Sequence, residues 1–162
     1  CYTVGMKKIG LLFGSFNPLH NGHIMLAESA QQEVALDEVW FVVQPENTYK
    51  PASEFLVFET RKDLISISGY KLFVPATNDY AHYIPESLKE IKDHELTLIL
   101  GEDLTESFPF WEDYHEIKEL AQIYESHRID DISSGQIRDR LQAGESITDL
   151  VPHSVRDYLA QL

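Results

Sequence analysis

A loop rich in glycine, asparagine and histidine, placed between an apolar run and an amphipathic stretch, most constrains what this chain can fold into. Residues 9–13 are continuously apolar, residues 14–23 read GSFNPLHNGH, and apolar residues return at helical spacing over residues 24–34. This order predicts a buried strand, a tight loop and a helix. Such a loop directs backbone N–H groups and a helix N-terminus towards one point, where phosphate binds well. The sequence therefore predicts phosphate chemistry on a nucleotide.

The alternation of strand and helix continues along the chain. Further strands are predicted at residues 39–43, 71–76 and 96–100, with a weaker candidate at 122–125. Helices are predicted at residues 24–34 (with Asn21 as the N-cap), 54–67, 85–92, 111–121, 136–142 and 153–160. Apolar strands that alternate with helices indicate an α/β fold with a doubly wound, parallel, Rossmann-like sheet. Ligands bind such a sheet at the carboxyl ends of its strands.

Composition limits the partners of the chain. Its 162 residues, 43% of them hydrophobic, suit one domain, which we expect over residues 6–162, with residues 1–5 as an extension or a cloning remnant. The net charge of −14 argues against nucleic-acid binding, which needs a basic surface. The single cysteine allows no disulfide framework, and no apolar run has the length of a membrane span. We therefore expect a cytoplasmic protein that binds small molecules, and the sequence leaves open whether it forms a homo-oligomer.

The two histidines of this loop are stronger evidence for phosphate binding than its glycines are. Gly14 and Gly22 either let the backbone approach a phosphate or merely serve the turn. His20 and His23 lie three residues apart at the predicted helix start, where they can donate hydrogen bonds to phosphate oxygens as charge develops in a transition state. A zinc pair is the competing interpretation. No matching set of ligands stands out elsewhere in the sequence, so we predict no metal held by the protein itself.

A second loop-to-helix boundary lies in the last third of the chain, where residues 132–138 read ISSGQIR. Together, this segment and residues 14–23 resemble the two signature motifs of the nucleotidylyltransferase superfamily, (H/T)xGH and ISSTxIR, in the same order. Within the superfamily the chain most resembles bacterial nicotinate-mononucleotide adenylyltransferases. That resemblance also includes the segments DEVWF at 37–41, LGED at 100–103, FPFW at 108–111 and LVPHSV at 150–155. Pantetheine-phosphate adenylyltransferases usually have Thr where His20 stands.

The resemblance implies adenylyl transfer from ATP, with Mg²⁺, to nicotinate mononucleotide. The products are nicotinate adenine dinucleotide, a precursor of NAD, and pyrophosphate. The resemblance implies catalytic contacts to the phosphates from His20, His23 and Arg138. It implies ATP contacts from Gly14, Ser15, Phe16, Gly22, Gly101, Asp103, Ser133 and Ser134. It implies acceptor contacts from Asn17, Lys50, Tyr83 and Trp111, and Arg61 matches a further basic residue of the family.

For residues that the resemblance assigns singly, a structural role remains the alternative to ligand contact. Arg61 is otherwise a solvated helix residue, and Trp111 is otherwise a core residue. The chain also departs from the family pattern, because His82 and Ile84 replace two hydroxyl residues and Gly135 replaces Ser or Thr, and because residues 124–129 form a shortened segment. The first departure affects the expected acceptor pocket. Transfer to another phosphorylated small molecule, such as phosphopantetheine, and a non-catalytic ATP-binding module are therefore the alternative functions.

Overall fold

A parallel sheet forms the centre of the molecule. The structure is a computed structural model that describes residues 6–45, 56–91, 93–100, 105, 107–125 and 132–161. Within these ranges the strands are β1 (Lys8–Gly14), β2 (Glu38–Val43), β3 (Lys71–Leu72), β4 (Glu95–Leu100) and β5 (Gln122–Glu125). They are all parallel and lie in the order β3-β2-β1-β4-β5. The predicted doubly wound α/β fold is confirmed.

Helices cover both faces of the sheet. They are α1 (Asn21–Glu33), α2 (Phe58–Ile67), α3 (Tyr83–Glu90), α4 (Tyr114–Leu120), α5 (Ser134–Gln142) and α6 (His153–Ala160). Short 3₁₀ turns, Tyr80–His82 and Phe108–Phe110, precede α3 and α4. Across the described residues, no helix has the length and apolar character needed to cross a bilayer.

Alternation along the strands produces two cores, one on each face of the sheet. In β1, Leu12 points to the face covered by α1, α2, α5 and α6, where Phe16, Phe41 and Ile137 are also buried. Its neighbours Leu11 and Phe13 point to the opposite face, covered by α3 and α4. Both strand faces are buried, which explains why the central strands are apolar throughout.

The strand order reverses between β1 and β4. β1 pairs with β2 on one side and with β4 on the other. A crevice opens at such a switch point, outside the carboxyl ends of the strands, and ligands of doubly wound sheets bind there. The loop over residues 14–23 leaves β1 at this edge.

Several element boundaries differ from those predicted. The first helix begins at Asn21 and its N-cap is His20, so the prediction of Asn21 as the cap is wrong. The third strand, predicted to reach residue 76, ends at Leu72. The Phe73 backbone N–H still donates to the Phe41 carbonyl oxygen, whereas the backbone amides of Ala76 and Thr77 donate to the Glu90 carboxylate. The helix predicted from residue 111 begins at Tyr114, after the 3₁₀ turn.

Candidate active site

The two loop histidines cap the helix that follows them. The backbone N–H of Gly22 donates to His20 Nδ1 at 3.1 Å, and the backbone N–H of His20 donates to His23 Nδ1 at 3.1 Å. This is a capping box in which imidazole rings take the place of the usual hydroxyl and carboxylate. His20 fits the cap because its backbone is extended. The helix start thereby fixes both rings in place.

The capping bonds also decide which ring nitrogens carry protons. A neutral imidazole that accepts at Nδ1 carries its proton on Nε2. The two rings stack with centroids 3.6 Å apart. Burial, and then the neighbouring His20, hold the pKa of His23 well below its usual value. Near neutral pH, His23 is therefore a neutral donor through Nε2–H.

Phe16 links the loop to the sheet and to these rings. Its φ of 49° lies in the left-handed region, which is uncommon for an aromatic residue, and its side chain is buried. Its ring contacts His23 edge-on at 4.7 Å and Phe41 at 5.5 Å. A Cβ on Gly14 would lie 3.3 Å from the Phe16 ring, so glycine leaves room for that ring. Phe16 thus supports the ring of His23.

The structure brings the two sequence motifs together. Ser134 Oγ donates to the Pro18 carbonyl oxygen at 3.1 Å, and Arg138 Nη1 donates to the Asn17 carbonyl oxygen at 2.8 Å. Ser133 is the N-cap of α5, since its Oγ accepts from the backbone N–H of Gln136 at 3.1 Å. Two helix N-termini, those of α1 and α5, therefore start from one hydrogen-bonded unit. Such N-termini favour negative charge.

Arg61 anchors the loop from beneath. Its side chain is only 1% exposed. Its Nη1 donates to the carbonyl oxygens of Ser15 at 2.9 Å and Gln44 at 2.8 Å, while its Nε donates to that of Leu56 at 3.1 Å. The sequence suggested two environments for Arg61, contact with a ligand and a solvated position on the helix surface. The buried position that the structure gives it differs from both. The guanidinium fork can hold several carbonyls at once, which a smaller polar group cannot.

Asn17 adds a second tie to the same region. Its Oδ1 accepts from the backbone N–H of Leu56 at 2.9 Å, and its side chain is buried. Leu56 is therefore held through its amide by Asn17 and through its carbonyl by Arg61. Ser15, by contrast, is exposed at the tip of the loop.

Two of the residues predicted to meet the acceptor, Tyr83 and Trp111, lie on the other face of the sheet. Tyr83 is buried, donates from its hydroxyl to the Val43 carbonyl oxygen at 3.4 Å, and packs edge-on against Phe13. Burial raises the pKa of Tyr83 to about 12, so it remains a protonated donor. Trp111 is half-buried, with Nε1 donating to Ser107 Oγ at 3.0 Å and its ring edge-on to Phe108. Its position at the rim of this core is compatible with both roles considered for it.

Three predicted ligand residues, Lys50, Gly101 and Asp103, lie outside the described residues. The described part of the chain also has no group of three or more His, Cys, Asp or Glu side chains able to hold a metal ion. Mg²⁺ in nucleotide sites usually keeps several waters and binds through substrate phosphates with one or two carboxylates. The imidazole, serine and arginine donors of the site suit phosphate oxygens. They therefore fit a Mg²⁺ ion that is carried by the phosphates of a triphosphate.

Sequence reasoning missed the part played by two side chains. Arg61 looked solvated because a single arginine in an amphipathic pattern usually is, and no local signal reveals the carbonyl acceptors of Ser15 and Gln44, which are distant in sequence. His20 as a cap was detectable in principle, because the His-x-x-His spacing matches that of a capping box. Imidazole is outside the usual set of cap residues, so the nearby asparagine was preferred.

Comparison with known proteins shows which family the chain is similar to. The cytidylyltransferase-like family matches residues 11–143. A protein from Flavobacterium johnsoniae named probable nicotinate-nucleotide adenylyltransferase is 29% identical, with 94% of this chain and 95% of the relative aligned. Relatives of the same name from Christiangramia forsetii and Cytophaga hutchinsonii are 31% and 33% identical, aligned over 88% and 78% of this chain and 77% and 71% of their own lengths.

A solved structure supports the fold. The crystal structure of a protein from Vibrio parahaemolyticus that carries the same enzyme name superposes with a TM-score of 0.70. The match covers 95% of this chain and 99% of that one, at 23% sequence identity. With the family match spanning most of the sequence and close relatives aligned over most of their length, the chain belongs to the cytidylyltransferase-like family, among its nicotinate-nucleotide adenylyltransferases.

Proposed function

We propose that this protein transfers the adenylyl group of ATP to nicotinate mononucleotide, giving nicotinate adenine dinucleotide and pyrophosphate. The observation that carries the proposal is the hydrogen-bonded union of the two motifs, Arg138 to the Asn17 carbonyl and Ser134 to the Pro18 carbonyl. It joins two helix N-termini and two histidines on one side of the switch point. The names of the relatives supply the acceptor. We propose a cytoplasmic location for the reaction.

The chemistry needs positioning more than it needs a base. A phosphate monoester is already an anion near neutral pH, so the acceptor phosphate can attack the α-phosphorus of ATP in line. The bond from the α-phosphorus to the bridging oxygen breaks, and pyrophosphate leaves with that oxygen. Charge builds on the phosphate oxygens in between, and preorganised donors stabilise it.

The described residues supply such donors. We assign His20 and His23 to the phosphates at the breaking bond, with Nε2–H groups held in one orientation by the capping box. Arg138, Ser133 and Ser134 are assigned to the triphosphate, at the N-terminus of α5. Gly14, Ser15, Phe16 and Gly22 form the loop that approaches the nucleotide. Mg²⁺, when bound on the triphosphate, neutralises charge on the leaving pyrophosphate.

The acceptor is assigned to the opposite side of the switch point. Tyr83 and Trp111 belong to elements that follow β3 and β4 on the α3 and α4 face. Asn17 is assigned to the acceptor by the family resemblance, and its position is fixed from the nucleotide side, because its carbonyl accepts from Arg138 and its side chain accepts from Leu56. Gly101 and Asp103 are assigned to the adenosine end and Lys50 to the acceptor, by the family resemblance.

A substrate panel tests this function. Pyrophosphate release from ATP is measured with nicotinate mononucleotide, nicotinamide mononucleotide or phosphopantetheine as acceptor, with and without Mg²⁺. We expect the fastest release with nicotinate mononucleotide and none without an acceptor. Preference for phosphopantetheine contradicts the acceptor assignment. ATP binding without release for any acceptor contradicts the enzymatic function and supports a non-catalytic module.

A further inference from the structure

We propose that His82 and Asp113 form a positioning pair that sets the acceptor side of the site by holding the Trp111 turn against the Tyr83 segment. The proposal rests on the function proposed above, since it concerns the acceptor half of the same site. Neither side chain is assigned a contact to substrate. Both act through their neighbours in the chain, Tyr83 and Trp111.

The pair joins two segments that are far apart in sequence. His82 Nδ1 lies 3.0 Å from Asp113 Oδ1 and 3.1 Å from Oδ2, so the ring N–H is shared between both carboxylate oxygens. The carboxylate is 17% exposed and the imidazole 37% exposed. His82 ends the 3₁₀ turn before α3, and Asp113 lies immediately before α4.

One partner is anchored to the sheet. Tyr83 follows His82 directly, and its hydroxyl and ring contact Val43 and Phe13 near the carboxyl ends of β2 and β1. The backbone N–H of His82 is also held by Asp79, whose Oδ1 accepts at 3.3 Å. The position of the His82 ring is therefore fixed relative to the switch point.

The other partner carries the turn that contains Trp111. The backbone N–H of Tyr114 donates to the Trp111 carbonyl at 3.1 Å, and that of Ile117 donates to the Asp113 carbonyl at 2.9 Å. Trp111 and Asp113 thus move as one unit at the start of α4. Nearby Phe110 is 88% exposed, so this unit lies at the surface rather than inside the core. A bond from Asp113 to the anchored His82 therefore fixes the backbone turn that carries Trp111, whose ring also contacts Ser107 and Phe108.

Electrostatics favour the charged form of the pair. The hydrogen bond and charge of Asp113, with smaller contributions from Asp79 and Glu112, raise the pKa of His82 above its usual value. The excess of acidic groups around one imidazole keeps it protonated more readily than an exposed histidine.

The chain provides a matched control in the same helix pair. Lys89 of α3 forms a salt bridge with Glu116 of α4. Lys89 lies six residues after Tyr83, about 9 Å further along the helix and away from the carboxyl edge of the sheet. Breaking this pair loosens the same two helices without touching the Trp111 turn.

Kinetics of four variants test the proposal. We compare His82→Gln, Asp113→Asn, their double variant and the control Glu116→Gln. We expect the KM for nicotinate mononucleotide to rise about tenfold in each of the first three, because the acceptor wall is displaced, while the KM for ATP stays unchanged. The double variant is expected to equal the single ones, since both remove one interaction. Glu116→Gln is expected to change neither KM.

A second measurement does not depend on activity. In a Trp40→Phe background Trp111 is the single tryptophan, and its quenching by acrylamide reports its exposure. We expect the quenching constant to rise in His82→Gln and to stay unchanged in Glu116→Gln. If the parent enzyme is inactive, the proposed function is wrong, and the quenching measurement alone then tests whether His82 and Asp113 position Trp111. Equal quenching in both variants, or a change in quenching without a change in the acceptor KM of an active enzyme, overturns the proposal.

Discussion

The two halves of the candidate site are built on different principles. On the nucleotide side, side-chain donors are directed at backbone carbonyls: Arg61 to Ser15 and Gln44, Arg138 to Asn17. On the acceptor side, the corresponding tie joins two side chains, His82 and Asp113, and the Asp113 carboxylate raises the pKa of His82 above its usual value. Arginine keeps its charge at every physiological pH, whereas histidine does not.

This difference suggests a division of labour. The side assigned to the triphosphate is tied by arginine hydrogen bonds to backbone carbonyls, and the charge of arginine does not change with pH in the physiological range. The side assigned to the acceptor is tied by one partly exposed pair. We therefore expect disruption of the first side to affect folding, turnover and ATP binding, and disruption of the second to affect acceptor binding alone.

The largest effect is expected from removing the buried cation of the nucleotide side. Arg61→Met removes the donor of three carbonyl oxygens, one in a buried hydrogen bond and two in part-buried ones, and a group left unsatisfied in the interior costs about 1–3 kcal/mol. We expect the free energy of unfolding in urea to fall by at least about 3 kcal/mol. The control is Lys62→Met, which removes the neighbouring cation that pairs with Glu59. That change is expected to cost about 1 kcal/mol or less, and equal losses in both variants would contradict the anchoring role of Arg61.

Removing a phosphate donor is expected to act on turnover. His23→Ala deletes one preorganised N–H and should lower kcat by a factor of about 10² to 10³, with little change in the KM for nicotinate mononucleotide. Loss of the capping bond to His20 adds about 1 kcal/mol of destabilisation, which a thermal melt detects separately. Gln32→Ala, at an exposed position of the same helix, serves as the control. Near-normal kcat in His23→Ala would remove His23 from the mechanism.

A conservative change at the junction of the two motifs is expected to be milder. Arg138→Lys retains the charge but loses the planar fork, so it cannot serve both the Asn17 carbonyl and a phosphate. We expect the KM for ATP to rise about tenfold, measured at saturating acceptor. Arg140→Lys is the matched control, because Arg140 lies on the same helix and contacts Ser146 and Asp149 instead. A similar KM for ATP in both variants would count against the junction.

The smallest effect is expected from pH on the acceptor side. The pKa of His82 is raised in the folded protein, so the charged pair is complete below its usual value of 6.5 and is lost as the pH rises through the raised value. We expect the KM for nicotinate mononucleotide to rise by about twofold over that interval, because a neutral imidazole still donates one hydrogen bond. The KM for ATP should stay constant, since His23 is already neutral there. Persistence of the rise in His82→Gln would assign it to another group.

Local patterns in the sequence were sufficient for most of the fold. The apolar strands and the amphipathic helices between them predicted the parallel sheet, and both motif helices begin at the predicted loops. The predicted third strand is too long at its end, where the amides of Ala76 and Thr77 donate to the Glu90 carboxylate and not to a neighbouring strand. These strands could be predicted because burial on both faces makes them apolar throughout, and a continuous apolar run is a property of neighbouring residues in the sequence.

The sequence by itself determined that this protein has a glycine- and histidine-rich loop over residues 14–23 before its first helix. It also determined a second loop-to-helix boundary at residues 132–138. The tertiary structure decided how these parts are held: that Arg61 is buried beneath the loop, that Arg138 bonds to the Asn17 carbonyl, and that His82 finds Asp113. Each of these contacts joins residues distant in sequence, some through backbone carbonyls that every residue carries. No local pattern can mark such a partner, so only folding selects it.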